Sequence, residues 1–405
     1  MRLRCRLTLA LVCLVIGVGR TSAQDPAVDP YDAARFHFGP LGVTPSIVIS
    51  DVGRDENVFN EAVNPKGDTT AAIGPAAQLA LRMGRSRLSG RASGQYVYFH
   101  RYDNQRSWNT TLDGTWRFPL ARITPFVLGT RVQTRERPGY EIDARARRAD
   151  RTVGLGTDLR LSSKTTLVLS GRRTWVRYDD REQFLGIDLA QRLNRQSDSE
   201  QLDARFILTP LTTFVVRTQA MQDRFDQSPL RDSNSYSVVP GFELRPEALI
   251  SGQVFVGVRR FTTLSDAVPD YTGLVAQVKA RYVLRATRFA ASIGRDVAYS
   301  FEEIQPFYTL TDAGLEVTQR ITGAWDLVAR GSRQTLGYRS VASAVSASER
   351  IDHGRMLGGG IGYRVGRTLR VGVDVNHYQR TDDRDGGRSY RGLRVGGSVS
   401  YGLPQ

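Results

Sequence analysis

The chain has 405 residues, with 56 Lys+Arg against 41 Asp+Glu and a formal net charge of +15. After the N-terminus no run of about eighteen apolar residues occurs, which excludes helical membrane spans. Both cysteines, Cys5 and Cys13, lie near the N-terminus, which excludes a disulfide-stapled scaffold. Only Lys66, Lys164 and Lys279 are lysines. The arginines are dispersed rather than clustered, and no nucleic-acid partner is expected.

The first segment reads MRLRCRLTLALVCLVIGVGRTSAQ. Arg2, Arg4 and Arg6 precede an apolar run from Leu7 to about Val18, and Thr21-Ser22-Ala23 follows, the layout of a secretory signal peptide over residues 1–23. Removal after Ala23 takes away four arginines and leaves a cysteine-free mature chain of charge about +11. Residues 24–42 are expected to form a short periplasmic segment, and 43–405 an outer-membrane domain.

From there, segments of alternating polarity recur to the C-terminus. SWNTTLDGTWRF sets Trp108, Thr110, Leu112, Gly114, Trp116 and Phe118 against Asn109, Thr111, Asp113, Thr115 and Arg117. TVGLGTDLRL, YSVVPGFEL, LVAQVKARYVL and LGGGIGYRV alternate in the same way. In TLRVGVDVNHYQRTD, Leu369, Val371, Val373 and Val375 share one face, and Arg370, Gly372, Asp374 and Asn376 the other. A period of two is the signature of a strand with one apolar face. The pattern predicts eighteen strands, roughly at 43–55, 69–83, 87–101, 105–118, 123–136, 148–161, 165–178, 192–208, 212–225, 232–245, 249–262, 271–284, 288–301, 306–320, 325–339, 351–365, 368–381 and 389–402. Sixteen is the alternative if the first pair is irregular.

Short turns alternate with long polar loops such as DENVFNEAVNPKGDTT, RERPGYEIDARARRAD and YDDREQFLGIDLAQ. That is the layout of an all-β transmembrane antiparallel β-barrel, with short periplasmic turns and longer external loops. A propeller has a similar period of about forty residues, but strands of ten to fourteen residues suit tilted membrane strands better. A two-sheet sandwich of so many strands is unusual. The aromatics Tyr96, Tyr98, Trp108, Trp116, Tyr178, Tyr236, Tyr282, Trp325, Tyr363 and Tyr401 stand near strand ends, where interfacial girdles form. The valines of the 368–382 segment are therefore expected to meet lipid, with Arg370, Asp374 and Asn376 in a wet lumen. The last strand, RVGGSVSY (Arg394 to Tyr401), resembles the C-terminal signal read by the barrel assembly machinery, although Gly402-Leu403-Pro404-Gln405 follows the aromatic.

One family shares local detail. DVGRDENVFNEAVNPKGDTTAAIGPAAQL (Asp51 to Leu79) resembles the opening hairpin of the β-barrel porin type 2 family. It carries an acidic/Asn-Val-Phe stretch (Asp55 to Phe59), an Asp68-Thr69 pair and an Ile73-Gly74-Pro75 strand start. ILTPLTTF (Ile207 to Phe214) is similar to that family's recurrent periplasmic turn. The resemblance implies an outer-membrane barrel associated with exopolysaccharide export systems, with no catalytic residues.

Little in the chain suggests enzyme chemistry. His37, His100, His353 and His377 show neither triad nor metal-ligand spacing, and GLGTD and GGGIG lie inside strands. No cofactor or metal is expected. The candidate constellation is arginine: Arg82, Arg117, Arg131, Arg160, Arg172, Arg205, Arg217, Arg245, Arg281, Arg364 and Arg370 are all expected to line the lumen. Acids two positions away, such as Asp113, Asp158, Asp203, Glu243 and Asp374, make a charge ladder tying the wall the competing reading. The expected function is a porin-like channel with a cationic, arginine-lined lumen that passes anionic solutes or assists exopolysaccharide export. The alternative is a non-conducting structural or assembly barrel of a surface-polysaccharide system, with a barrel-wall hydrolase third. Expected partners are outer-membrane lipid, the assembly machinery and polysaccharide export components.

Overall fold

A computed structural model describes residues 29–342, 350–366, 368–382 and 388–402. The predicted signal peptide and the tail Leu403-Pro404-Gln405 lie outside the described residues. A three-residue strand, β1 (Phe36–Phe38), folds back on the start of β2 (Leu41–Asp55). There follow β3 (Asp68–Met83), β4 (Ser86–Phe99), β5 (Ser107–Arg117), β6 (Ile123–Glu136), β7 (Ala146–Arg160) and β8 (Thr165–Tyr178). The next connection holds a small hairpin, β9 (Gln183–Phe184) and β10 (Ile187–Asp188), and a helix, α1 (Leu189–Leu193). The wall resumes with β11 (Arg195–Thr209), β12 (Thr212–Phe225), β13 (Ser233–Leu244), β14 (Ile250–Thr263), β15 (Tyr271–Leu284) and β16 (Thr287–Tyr299). It ends with β17 (Phe307–Arg320), β18 (Trp325–Arg339), β19 (Ile351–Val365), β20 (Leu369–Asp382) and β21 (Tyr390–Tyr401).

Each wall strand pairs antiparallel with its neighbours, and β21 pairs with β2, so eighteen strands close into a barrel. The expected count holds, and sixteen does not. Observed strand ends fall within a few residues of those read from alternation. Closure is uneven at one point. The β2–β21 ladder runs Ile47↔Tyr401 to Ile49↔Val399, then shifts register before Val52↔Gly397. Asp51 takes a left-handed φ of 54° there. Gly53 has no room for a side chain: a Cβ would stand 2.0 Å from the Val395 carbonyl oxygen.

Faces follow the period of two. Val371, Val373 and Val375 of β20 are exposed on the outer wall and pair with Tyr363, Ile361 and Gly359 of β19. Between them Gly372 is buried, and Arg370 and Asp374 make ion pairs inside the barrel. Tyr96, Trp108, Trp116, Tyr236, Trp325, Tyr363 and Tyr401 are all exposed on the outer wall, as girdle residues are. Tyr178 departs from that expectation. It faces inward and is buried with Val176, Phe184 and Phe225, because the outer ends of β8 and β12 are covered by loops.

The short connections (84–85, 161–164, 210–211, 285–286) lie at one end, which barrel topology makes periplasmic, and the long ones at the other. The long loops are not wholly exposed. In the loop 56–67, Asn57, Val58 and Asn60 are buried, while Val63 and Asn64 stand out in solvent. In 179–194, Phe184 and Leu189 are buried, while Leu185 and Gly186 are exposed.

Two outcomes follow. Val373→Arg places a charge on the lipid face, at a cost of about 2–4 kcal/mol near mid-membrane, and is expected to reduce heat-modifiable barrel on a cold gel. Asn376→Arg, on the lumen face, is expected to assemble; equal assembly of both would refute the facing. Epitope tags inserted after Asn64 or Gly186 are expected to be labelled on intact cells, whereas labelling only after outer-membrane rupture would invert the topology.

Candidate functional site in the lumen

Antiparallel pairing sets lumen-facing arginines beside carboxylates on the next strand or one beyond. Arg117 (β5) binds Asp158 (β7) at 2.8 Å and lies over the Phe126 ring of β6. Arg217 (β12) grips Asp203 (β11) with both arms, at 3.0 and 2.8 Å, and covers Phe255 of β14. Arg205 meets Glu243. Arg172 (β8) faces into the field of Arg217 and Asp203. Arg364 (β19) and Arg370 (β20) converge on one fully buried carboxylate, Asp326 of β18, at 2.9 and 2.7 Å. Much of the predicted belt is therefore a cross-strand ladder that holds the wall, since paired opposite charges on one sheet face stabilise it.

Two of the predicted lining residues, Arg131 and Arg245, are placed elsewhere, and two more, Arg82 and Arg160, face inward only at the periplasmic rim. Arg131 of β6 stands directly opposite Leu112, an exposed outer-wall residue, and opposite Arg151 of β7, so it faces outward. The sequence ITPFVLGTRVQT carries apolar residues at both parities, and only the pairing decides which face is outside. Arg245 lies beyond the end of β13, in the periplasmic turn. Arg82 binds Asp29 (2.9 Å) and Asp32 and covers the Tyr31 ring at 4.5 Å, while Arg87 also holds Asp29 at 3.0 Å. Arg82 thus fastens the N-terminal segment to the periplasmic rim. Arg160, the last residue of β7, is exposed at the same rim.

Arg281 keeps its predicted place on the lumen face of β15, and two arginines absent from the predicted set join it. Arg288 of β16 faces the like charges of Arg281, Arg364 and Arg320, with Glu316 as the opposing acid. This cluster spans β15 to β19 near the periplasmic end. The two new members, Arg288 as the second residue of β16 and Arg320 as the last of β17, stand at strand ends, where alternation had little length to act on.

The outer half of the lumen is different. The loop 137–145 leaves β6 and returns to β7, yet it reaches β17, β18 and β20 on the far side of the eighteen-strand ring. Tyr140 meets Gln334 of β18 and the charge of Asp312 of β17. Arg380 of β20 donates to the carbonyl oxygens of Tyr140 (3.0 Å) and Glu141 (2.9 Å) and to the Asp143 carboxylate (3.2 Å). Arg388 adds a second cation to Asp143 at 3.0 Å. The Glu141 carboxylate accepts from the Ser300 hydroxyl at 2.6 Å and the Phe301 amide at 3.2 Å. Arg350 completes the array, binding Asp352 and Glu302 and lying 4.0 Å over the Tyr338 ring. The loop crosses the mouth. Around it Ile142, Phe184, Leu189, Leu193 and Phe301 make an apolar core shared by three loops. A chamber of about 390 Å³ lies beneath, lined in part by Tyr140, Gln334, Asn376, Tyr378, Arg380 and Arg394. By sequence pattern these loops are polar surface connectors. The available signal was the set of apolar residues, Ile142, Phe184 and Leu189, in otherwise polar stretches.

Among the described residues no group of His, Asp and Glu has the arrangement of a metal site. The strand histidines are separate: His353 meets Thr335 at 3.2 Å on β18–β19, and His377 is exposed on β20.

The family model described as "Putative beta-barrel porin 2" matches residues 29–401. The chain belongs to this family. Members are outer-membrane barrels of porin type, and the same holds here. Among solved structures, Pseudomonas aeruginosa OccK2 (OpdF) in complex with glucuronate is 12% identical, with TM-score 0.51 over 89% of this chain and 98% of that one. P. aeruginosa OccK3 (OpdO) is also 12% identical, with TM-score 0.47 over 89% and 95%. The first shares the barrel fold. A search of curated proteins gives no significant match. As a porin-family barrel the chain is a channel-type protein.

The loop that crosses this porin's mouth carries a titrating group. Complete burial raises the Glu141 carboxyl to about 7, against the opposing effect of its Ser300 and Phe301 hydrogen bonds. A carboxyl whose folded pKa lies above its unfolded value of 4.5 binds more protons folded than unfolded between those limits. Stability of the loop contact therefore falls as pH rises from about 4.5 to about 7, by up to roughly 3 kcal/mol, and is level above that. Limited proteolysis within 137–145 is expected to speed up across this window, and Glu141→Gln to flatten the dependence. A wild-type rate independent of pH would show that Glu141 does not control the loop.

Proposed function

We propose that this chain is an anion-preferring channel of the outer membrane, whose selectivity arises at the periplasmic end of the lumen. The observation that carries the reading is the cluster of Arg281, Arg288, Arg320 and Arg364, where like charges gather around the two carboxylates Asp326 and Glu316. Elsewhere in the lumen several arginines are paired one to one with a carboxylate, as in Arg117–Asp158 and Arg205–Glu243. A wet pore with low-dielectric walls focuses an unbalanced field along its axis, favouring ions of opposite sign. Small anionic solutes fit this site. An acidic exopolysaccharide presents the same carboxylate chemistry in polymer form, so uronate oligomers are suitable probes of an export role.

A second reading is a barrel closed at its outer end. It is favoured by the loop 137–145, whose ties to β17, β18 and β20 run across the mouth.

Planar-bilayer recordings in a salt gradient separate the two. Anion preference is expected at about 0.1 M salt and is expected to weaken at 1 M, where the screening length is about 3 Å. The triple variant R281E/R288E/R320E is expected to shift preference to cations, and Asp326→Asn to strengthen preference for anions. Cation preference in the wild type would refute the anion reading. Folded wild-type barrel with no current would support the closed one.

A further inference from the structure

The outer wall carries charge that the lumen reading does not use. On β5, β6, β7 and β8 the outward residues include Arg131, Arg135, Arg147, Arg151, Arg173 and Arg177, and no Asp or Glu. Two of these six find carboxylates on neighbouring elements: Arg173 binds Asp198 at 2.7 Å and Arg177 binds Asp226 at 2.9 Å. Arg135 donates to the Asn104 carbonyl and lies in the field of Glu182. Arg131, Arg147 and Arg151 are exposed and make no ion pair among the described residues. Arg131 donates only to Gln133, at 3.2 Å.

The register makes the arrangement costly without an anion. Arg131 stands directly opposite Arg151, and Arg135 directly opposite Arg147. Like charges facing each other across two strands repel. The height is also specific. Below Arg131 and Arg151 the outward residues are apolar or small: Ile123, Pro125, Val127 and Gly129 on β6, and Val153, Leu155, Thr157 and Leu159 on β7. Arg131 follows Ile123 by eight residues. At about 3.3 Å per residue and a tilt of about 40°, that is roughly 20 Å above the periplasmic edge. An apolar band is about 25 Å tall, so these long side chains reach up to its outer boundary. Within the strands near the periplasmic edge, by contrast, Arg82, Arg117, Arg160, Arg281 and Arg288 turn inward.

The pattern repeats across the barrel. Arg333 of β18 and Arg355 of β19 stand opposite each other, exposed, on the same outer face as Leu327 and Ile361. Arg333 follows Trp325 by eight residues, the same rise as on β6. Arg355 donates to Gln379 at 3.0 Å.

We propose that these paired outward arginines, centred on Arg131 and Arg151 and on Arg333 and Arg355, bind the phosphate groups of lipid headgroups in the outer leaflet. A guanidinium presents a planar fork matched to phosphate oxygens, and a dianionic headgroup between two facing arginines turns their repulsion into attraction. A phosphorylated saccharolipid supplies such groups at the height of the pairs. Its acyl chains lie against Val153 and Leu155, which are 52% and 67% exposed.

The test uses the full mature chain, folded in a neutral maltoside detergent, with heat-modifiable gel migration as the readout. Ligand that binds only the folded barrel raises its unfolding temperature in a concentration-dependent way. Bisphosphorylated lipid A is expected to raise the midpoint more than its dephosphorylated form at equal concentration. R131Q/R151Q/R333Q/R355Q is expected to abolish that difference. The corresponding lysine variant, which keeps the charge, is expected to retain part of it and to show that the positions tolerate substitution. The lumen variant R281Q/R288Q is expected to behave as wild type. Equal shifts with both lipids, or a full shift in the glutamine variant, would overturn the proposal. The same shift with inorganic phosphate alone would overturn the assignment to lipid.

Discussion

Inside hydrocarbon no water is present to satisfy a peptide group, so every backbone N–H and C=O of a spanning strand must find a partner in the protein. That requirement forbids an open edge. The pairing of β2 with β21 is therefore the contact on which the whole wall depends. It is also where the wall is least regular. The register shift near Val52 brings the Gly53 backbone against Val395, and Arg394 holds Asp55 at 2.6 Å on the inner side. Tyr378 donates to the same carboxylate at 2.7 Å. The first strand, the last strand and β20 are thus tied by side chains at the point where the ladder is disturbed.

Closure fixes two surfaces of opposite demand, and arginine serves both. On the inner wall guanidinium groups such as Arg117, Arg205, Arg217, Arg364 and Arg370 bridge strands, reaching a carboxylate one or two strands away. On the outer wall arginines are absent from the apolar band and appear at its outer boundary. A charge costs most at the membrane midplane and little at the interface, so height decides where an outward arginine is tolerated. This vertical sorting shows that the excess of basic residues in the barrel is not a diffuse property of the chain. It resolves into a periplasmic cluster facing in, a set of neutralised bridges, and a rim facing out.

The crossing loop imposes a third demand. A segment that spans the mouth must satisfy its own backbone away from regular structure. Here Arg380 does much of this by donating to consecutive carbonyl groups, and Arg350 and Arg388 complete the charge balance around Asp352 and Asp143. The apolar contacts of Ile142, Phe184 and Phe301 then exclude water from Glu141. The loop is held by groups whose charges depend on each other, which links its position to protonation.

The sequence by itself determined the architecture. Membrane strands have a strict period of two, each strand is long enough to show it, and short and long connections alternate. Strand number, the outward face of Val371, Val373 and Val375, and the porin family were all legible for that reason. The site was legible in part. Arg117, Arg205, Arg217, Arg364 and Arg370 face the lumen as alternation indicated, but their partners lie on other strands, and only the register says which cations are neutralised. Arg131 was misplaced because its strand is apolar at both parities, so one residue of slip exchanges lumen for lipid. The crossing loop was invisible because its partners, Arg380 and Ser300, are far away in sequence and meet it only once the ring has closed.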